Sequence, residues 1–330
     1  MKIAIVILNW NGKALLEQFL PAVVAHSKDA TVYVADNDSS DDSISFVEKK
    51  FPTIKIIRNE ENGGFAKGYN DALTSFKEDL FILLNNDVEV TPNWLNAICT
   101  AFETDQKLVA AQPKILDYKQ KTHFEYAGAA GGYLDRLGYP FCRGRIFNTI
   151  EADEGQYNDS VPIFWATGAC LAVRKEAFWR AGAFDEDLFA HQEEIDLCWR
   201  LQAQGGMIKY LAESTVYHLG GATLAAANPQ KTFYNFRNTL LILLKNRKGS
   251  TTYGLLFLRM LLDGLAGFQF LTLGKFLHFW AILRAHYSFY TLLPKYIKKR
   301  KQYATEISYY KTRSIVFNYF IKGKKHFNKL

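Results

Sequence analysis

Phe81-Ile82-Leu83-Leu84-Asn85-Asn86-Asp87-Val88-Glu89-Val90 joins four consecutive apolar side chains to a polar turn. A run of that length is too short for a buried helix and reads as a strand inside a sheet. Asp87 then stands at the carboxyl end of the strand, the edge where open α/β sheets hold their ligands. A carboxylate in that place suits a hard cation, Mg²⁺ or Mn²⁺, and through it phosphate oxygens. Asn and Asp also close strands in Asx turns, so the stretch alone leaves both readings open.

Working outward, the first ninety residues alternate strand-like and helix-like runs. Residues 3–8, 31–35 and 54–57 are strand-like, while residues 14–26, 43–50 and 65–76 have helical spacing. Strands separated by crossover helices imply an α/β, Rossmann-like, mainly parallel sheet flanked by helices. Its ligand-facing loops are residues 9–12, 36–42, 58–64 and 85–89, all rich in Asn, Asp or Gly. No Gly-x-Gly-x-x-Gly follows the first strand and no Gly-Lys-Ser/Thr is present, which excludes the usual dinucleotide and P-loop classes. The glycine-rich residues 62–70 enter a helix and offer backbone amides to a diphosphate, or simply serve a turn.

The chain has 330 residues, 48% of them hydrophobic and 22% charged, so it is globular and can bury a full core in one or two domains. Cys99, Cys142, Cys170 and Cys198 are widely spaced. That excludes a Cys-x-x-Cys zinc site and a disulfide framework, and fits a reducing cytoplasm. The apolar run at residues 3–8 is too short for a signal-peptide core.

From about residue 110 to 165 the pattern loosens into loops and short strands, expected to form part of an acceptor surface. It sharpens at Trp165-Ala166-Thr167-Gly168-Ala169 and again at residues 189–200. There Ile195, Cys198 and Trp199 make one apolar helical face, with Glu193, Glu194 and Asp196 in the first turn. Acids in a first turn favour the helix dipole, and a paired carboxylate near a nucleotide site can also act as a general base. His218 ends a strand and is either a structural histidine or a metal ligand through a neutral imidazole nitrogen.

The order of these pieces resembles the inverting GT-A glycosyltransferases of glycosyltransferase family 2, in particular the rhamnosyltransferase-like bacterial branch. The resemblance runs through residues 5–12, 34–41, 62–70, 83–87, 167–169, 182–186, 193–200 and His218. It implies that Asn9, Asn11, Asp36, Asn62, Gly64, Lys67, Asn70 and Asn86 surround the donor nucleotide. Trp165, Thr167, Gly168 and Asp185 would lie at the donor or acceptor sugar. Asp87 would be the last acid of the family's Asp-x-Asp motif, here Asn85-Asn86-Asp87, and would hold Mg²⁺ or Mn²⁺ with His218. The family's Glu-Asp base pair corresponds to Glu193-Glu194, with Glu194 at the Asp position and favoured as the base. The implied activity is transfer of a sugar from a dTDP- or UDP-sugar to a hydroxyl of a saccharide or lipid-linked saccharide in surface polysaccharide or glycolipid synthesis. A non-catalytic nucleotide-sugar-binding or scaffold protein on the same fold is the alternative.

Residues 1–245 are thus expected to be the catalytic domain, with a nucleotide-binding half at 1–110 and an acceptor-binding half at 111–245. Residues 246–330 are expected to be a helical extension, first apolar and then basic. Residues 253–293 are rich in Leu and aromatics but interrupted by Arg259, Asp263, Lys275, His278 and Arg284. The longest uncharged stretch is well short of the roughly 20 residues of a spanning helix, so a transmembrane pair is the disfavoured alternative. The segment reads as interfacial helices on a bilayer, or as a hairpin packed on protein, with a homo-oligomer as one form of that packing. The chain from residue 294 onward carries eleven Lys or Arg against one acid, which suits anionic lipid head groups. No nucleic-acid module is recognisable, and the expected location is cytoplasmic, peripheral on the inner face of the bacterial plasma membrane.

Overall fold

The computed structural model describes residues 1–220 and 228–330. β1 (Ile3–Asn9), α1 (Lys13–His26), β2 (Thr31–Asp36), α2 (Ser43–Lys50), β3 (Lys55–Arg58), α3 (Gly64–Leu73) and β4 (Leu80–Asn85) alternate as the sequence predicts. β1 pairs in parallel with β2 and β4, and β2 with β3. The continuous apolar run of β4 follows from burial on both faces. Phe81 and Leu83 face one core with Tyr69 and Phe178, whereas Leu80, Ile82 and Leu84 face the other with Leu16 and Ile98.

The chain continues through β5 (Val88–Val90), α4 (Trp94–Thr104) and β6 (Leu108–Asp117). The short strands β7 (Gly132–Leu134), β8 (Pro140–Cys142), β9 (Arg145–Ile146) and β10 (Thr149–Ile150) form a separate antiparallel sheet. Then follow β11 (Val161–Pro162), β12 (Cys170–Arg174), α5 (Lys175–Arg180), a 3-10 turn at Glu186–Leu188, α6 (Glu193–Ala203) and β13 (Met207–His218). The large sheet runs β11-β13-β6-β12-β4-β1-β2-β3, with β5 also pairing to β13. β12 lies antiparallel between β4 and β6, so the sheet is parallel in its first half and mixed beyond.

The loosened region therefore begins with a ten-residue central strand that the sequence reading missed. Pro113 sits inside it and argues against such an assignment. The structure accommodates it with a bulge: Leu211 pairs with Pro113, Thr215 pairs with Lys114, and Ala212, Glu213 and Ser214 are passed over.

Three helices complete the chain: α7 (Pro229–Asn246), α8 (Thr251–Thr272) and α9 (Phe276–Tyr303). Lys245 on α7 bridges Asp185 at 2.7 Å and Asp196 at 2.8 Å, all three buried. Lys299 on α9 reaches Asp185 and Asp187, and Lys295 reaches Asp187. Part of the basic extension is thus counterion to the acids at residues 185 and 187. Beyond α9 the chain returns to the small sheet, where the backbone of Ile315 donates to Asp135 and Phe327 packs on Tyr133.

Candidate active site

Asp87 and His218 meet because β5 pairs with the end of β13, in register Val88 to His218. His218 Nε2 lies 3.0 Å from Asp87 Oδ1, and Nδ1 lies 3.4 Å from Glu125 Oε2. All three side chains are buried. Burial opposes charge on the ring, yet the carboxylates of Glu125 and Asp87 outweigh it and raise the His218 pKa to about 10. Two carboxylates flanking one imidazole draw positive charge to this point, as a proton or as a metal ion. A carboxylate behind the far ring nitrogen is also the arrangement that orients metal-binding histidines. Among the described residues no three-ligand His, Cys, Asp or Glu cage is found, so Asp87 and His218 would supply two ligands of an open site.

Glu125 is the site residue that sequence reasoning missed. It lies in the segment without periodicity, and its Oε2 also accepts from the Ala127 amide.

The parallel strand ends meet at the same edge. Asn9 pairs in register with Asp36, and Leu8 with Asn85. Asp36 Oδ2 accepts from the Ser39 amide, while its buried Oδ1 has no partner among the described residues. That oxygen fits a ribose hydroxyl or a base N–H. Asn9 is wholly buried, donating to Ser43 and Ser39 and accepting from Asn86, so it ties three loops together. Gly12 packs so closely on Asn9 and Asn86 that no Cβ would fit. Asn11 accepts from the Ser40 and Asp41 amides and so shapes the 36–42 loop. Asn62 accepts from Asn37 and from the Gly64 amide, and Gly64 takes a φ of +73° against Phe189.

Several expected ligand contacts are occupied within the protein. Lys67 pairs with Asp71 and Glu61. The Asn70 amide is used in full, donating to the Phe184 carbonyl and Glu186 and accepting from the Phe184 amide. Trp165 is buried on Gly132 and donates to the Tyr133 carbonyl. Asp185 is enclosed by Lys245, Lys299 and Tyr296. These side chains hold the site's walls. Thr167 accepts from the Ala169 amide and its methyl packs on Gly128, while Gly168 leaves room for the Phe65 ring.

α6 presents Glu193 and Glu194 after an unusual approach. Phe189, His191 and Gln192 all have positive φ, at 61°, 67° and 70°. Non-glycine residues there cost about 1–3 kcal/mol each and persist only when surrounding contacts hold them. α7 supplies those contacts. Asn238 donates to the carbonyls of Leu188, Ala190 and His191, and Thr239 donates to Gln192. The Phe189 carbonyl in turn accepts from the amides of Phe65 and Ala66, coupling this loop to the glycine-rich one.

The two glutamates differ in setting. Burial, then the neighbouring charge of Glu194, push Glu193 well above the ordinary carboxyl range, and its Oε2 has no partner among the described residues. Glu194 is half-buried and burial raises it to about 7. A carboxyl held neutral beside one that titrates near neutrality divides the pair into a structural acid and a usable base.

The sequence matches the family model of Glycosyl transferase family 2 over residues 4–182. It is 28% identical over 222 residues to the N-acetylglucosaminyl-diphospho-decaprenol L-rhamnosyltransferase of Mycobacterium tuberculosis, covering 62% of this chain and 71% of that one. It is 23% identical over 248 residues to the dTDP-rhamnosyl transferase RfbF of Shigella flexneri, covering 69% and 76%. Among solved structures it is similar to the mannosyltransferase PcManGT of Pyrobaculum calidifontis in complex with GDP-Man and Mn²⁺. That likeness has a TM-score of 0.52 at 13% identity and covers 89% of this chain and 75% of the other. The fold is the GT-A fold, and the protein belongs to glycosyltransferase family 2.

Proposed function

We propose that this chain transfers rhamnose or a related deoxysugar from a dTDP donor, with a UDP-sugar as the alternative. The acceptor is a hydroxyl of a saccharide carried on a lipid diphosphate, in synthesis of a cell-surface polysaccharide. The observation that carries the reading is the convergence of Asp87, His218 and Glu125 on the sheet edge where Asp36 keeps an oxygen without a partner among the described residues. The bacterial relatives, a rhamnosyltransferase acting on N-acetylglucosaminyl-diphospho-decaprenol and a dTDP-rhamnosyl transferase, supply the sugar and the acceptor chemistry.

In this reading Asp36, Asn11 and the loop around Asn62 and Gly64 bind the nucleoside. Asp87 and His218 would hold a divalent cation, which when bound neutralises charge on the diphosphate. Glu194 takes the proton of the acceptor hydroxyl as that oxygen bonds to the anomeric carbon from the face opposite the diphosphate. The carbon–oxygen bond to the diphosphate breaks, its electron pair leaves with the nucleoside diphosphate, and configuration inverts. Glu193 stays protonated and keeps a second negative charge away from the attacking oxygen.

The helical extension supports a location on an anionic membrane surface, at the cytoplasmic face. α8 turns its charges inward: Arg259 pairs with Asp263 at 2.8 Å, stacks on Tyr139 and donates to the Leu137 carbonyl. Its outward stripe is apolar, with Phe257 65% and Leu265 67% exposed. α9 continues the surface with Trp280 58% and Tyr287 73% exposed. α8 is long and apolar enough to cross a bilayer by length and composition. Its polar side fastened to the small-sheet loop favours a helix lying in the interface instead.

The test is incubation of the full chain with Mn²⁺, dTDP-rhamnose or a panel of UDP-sugars, and a short-chain lipid-diphosphate N-acetylglucosamine. A product one sugar heavier, with release of the free nucleoside diphosphate, is expected. Release of pyrophosphate, or binding of donor without transfer to any acceptor, would contradict the reading.

A further inference from the structure

Burying a cationic side chain without a carboxylate costs several kcal/mol, so such groups are ordinarily paired. Lys114, Arg143, Arg200, Lys245 and Arg259 are buried and each faces a carboxylate. Among the described residues Arg237 has no carboxylate within ion-pair distance, but it gives its donors to Asn238 and to the carbonyls of Asp187 and Leu188. Arg145 is different. It is 6% exposed, and among the described residues its only oxygen partner is the Tyr126 carbonyl, at 2.8 Å from Nε. Among the described residues Nη2 meets only the Cys142 thiol, at 3.4 Å.

A second cation stands on the same aromatic ring. The Arg145 guanidinium lies 4.4 Å from the Tyr126 ring centroid and Lys231 Nζ lies 5.7 Å from it. Lys231 is half-buried in the first turn of α7 and has no ion-pair partner among the described residues. Burial lowers its pKa, the charge of Glu125 works against that, and Arg145 adds to it. Glu125, the nearest carboxylate in sequence to this ring, is taken up by His218 and the Ala127 amide. Two like charges are thus held beside the candidate active site with donors to spare and, among the described residues, no carboxylate within ion-pair distance; the charge of Glu125 reaches both, but that carboxylate is engaged by His218.

We propose that Arg145 and Lys231, both against the Tyr126 ring, form a diphosphate-binding subsite separate from the Asp87 and His218 pair. An arginine with free planar donors and a lysine point charge are the side chains suited to phosphate oxygens. The diphosphate belongs either to a lipid-linked acceptor or to the departing nucleotide. That identity rests on the sugar-transfer reading, whereas the existence of the subsite does not.

The experiment is calorimetric titration of the full chain with inorganic pyrophosphate in EDTA, on wild type, Arg145→Gln, Lys231→Gln and Lys231→Arg. Binding by wild type, weakened tenfold or more by either Gln substitution and restored by Lys231→Arg, is expected. Thermal melting of each variant separates loss of the subsite from loss of fold. No binding by wild type, or equal binding by folded variants, would overturn the proposal, whether or not transfer is ever observed. Kinetic arms then assign the source. A tenfold fall in preference for a diphosphate-linked over a neutral alkyl-linked acceptor marks the lipid diphosphate, and a rise in KM for the nucleotide sugar marks the donor.

Discussion

Asp87 and His218 lie far apart in the chain yet stand 3.0 Å from each other, because β5 opens one residue after Asp87 and pairs with the end of β13. That pairing sets the carboxylate and the imidazole at the mouth of the parallel strands without any further loop to place them. Glu125 closes the far side of the ring. Replacing Glu125 with Gln keeps the shape but removes the charge that orients the imidazole. Metal affinity, measured by Mn²⁺ titration in the presence of nucleotide, is expected to fall about 10–100-fold.

The environment of Glu194 sets a pH dependence. Its pKa of about 7 arises from burial, and a base must be ionised to accept a proton. Turnover is expected to rise about tenfold per pH unit below 7 and to level above it. Glu194→Gln should lower kcat by about 100-fold or more with nucleotide affinity unchanged. Unaltered turnover in that variant would remove Glu194 from its role.

Glu193 makes the complementary prediction for stability. Its folded-state pKa is raised above the unfolded value, so its contribution is intact at low pH and lost as pH rises towards the folded pKa. Glu193→Gln is expected to melt progressively higher than wild type as pH increases from 5 to about 8. Parallel melting curves across that range would refute the assignment of a neutral, buried acid.

Asn238 braces the strained residues 189–192 through three carbonyls. Asn238→Ala should cost about 1–3 kcal/mol of stability, read by denaturant unfolding. Because the loop leads directly into Glu193 and Glu194, kcat should fall as well. A variant that loses stability and keeps full kcat would show that the loop geometry does not position the base.

Phe257→Glu and Trp280→Glu place charges on the outward apolar stripe, the proposed membrane contact, without touching the buried Arg259 and Asp263 pair. Partitioning onto vesicles containing anionic lipid, read by co-sedimentation, is expected to drop about tenfold for each. Equal sedimentation of wild type and both variants would exclude this surface.

Much of the frame was legible before any coordinates. Apolar runs ending in Asn or Asp marked β1, β2 and β4, and the same turns placed Asp36 and Asp87 at the ligand edge. What the motifs could not reveal is which side chains are already taken. Asn70, Lys67, Trp165 and Asp185 sit in the expected stretches, yet tertiary partners from other elements occupy them. Glu125 and Arg145 lie where period and spacing are both absent: the Glu125 amide is fixed by the Ile115 carbonyl of β6, and Arg145 is placed by β9 of the small sheet. Pro113 concealed β6 because the compensating bulge is on a different strand. The strain at residues 189–192 carries no glycine to announce it, and its support comes from α7.

The proposed chemistry rests on a nucleoside diphosphate bound through a divalent cation at Asp87 and His218. The most direct measurement is calorimetric titration of dTDP and UDP into the full chain with and without Mn²⁺, repeated with Asp87→Ala. The account predicts that one nucleotide binds about tenfold or more tightly with Mn²⁺ and that Asp87→Ala abolishes the gain. Nucleotide affinity that is indifferent to Mn²⁺, or a gain that survives Asp87→Ala, would contradict it.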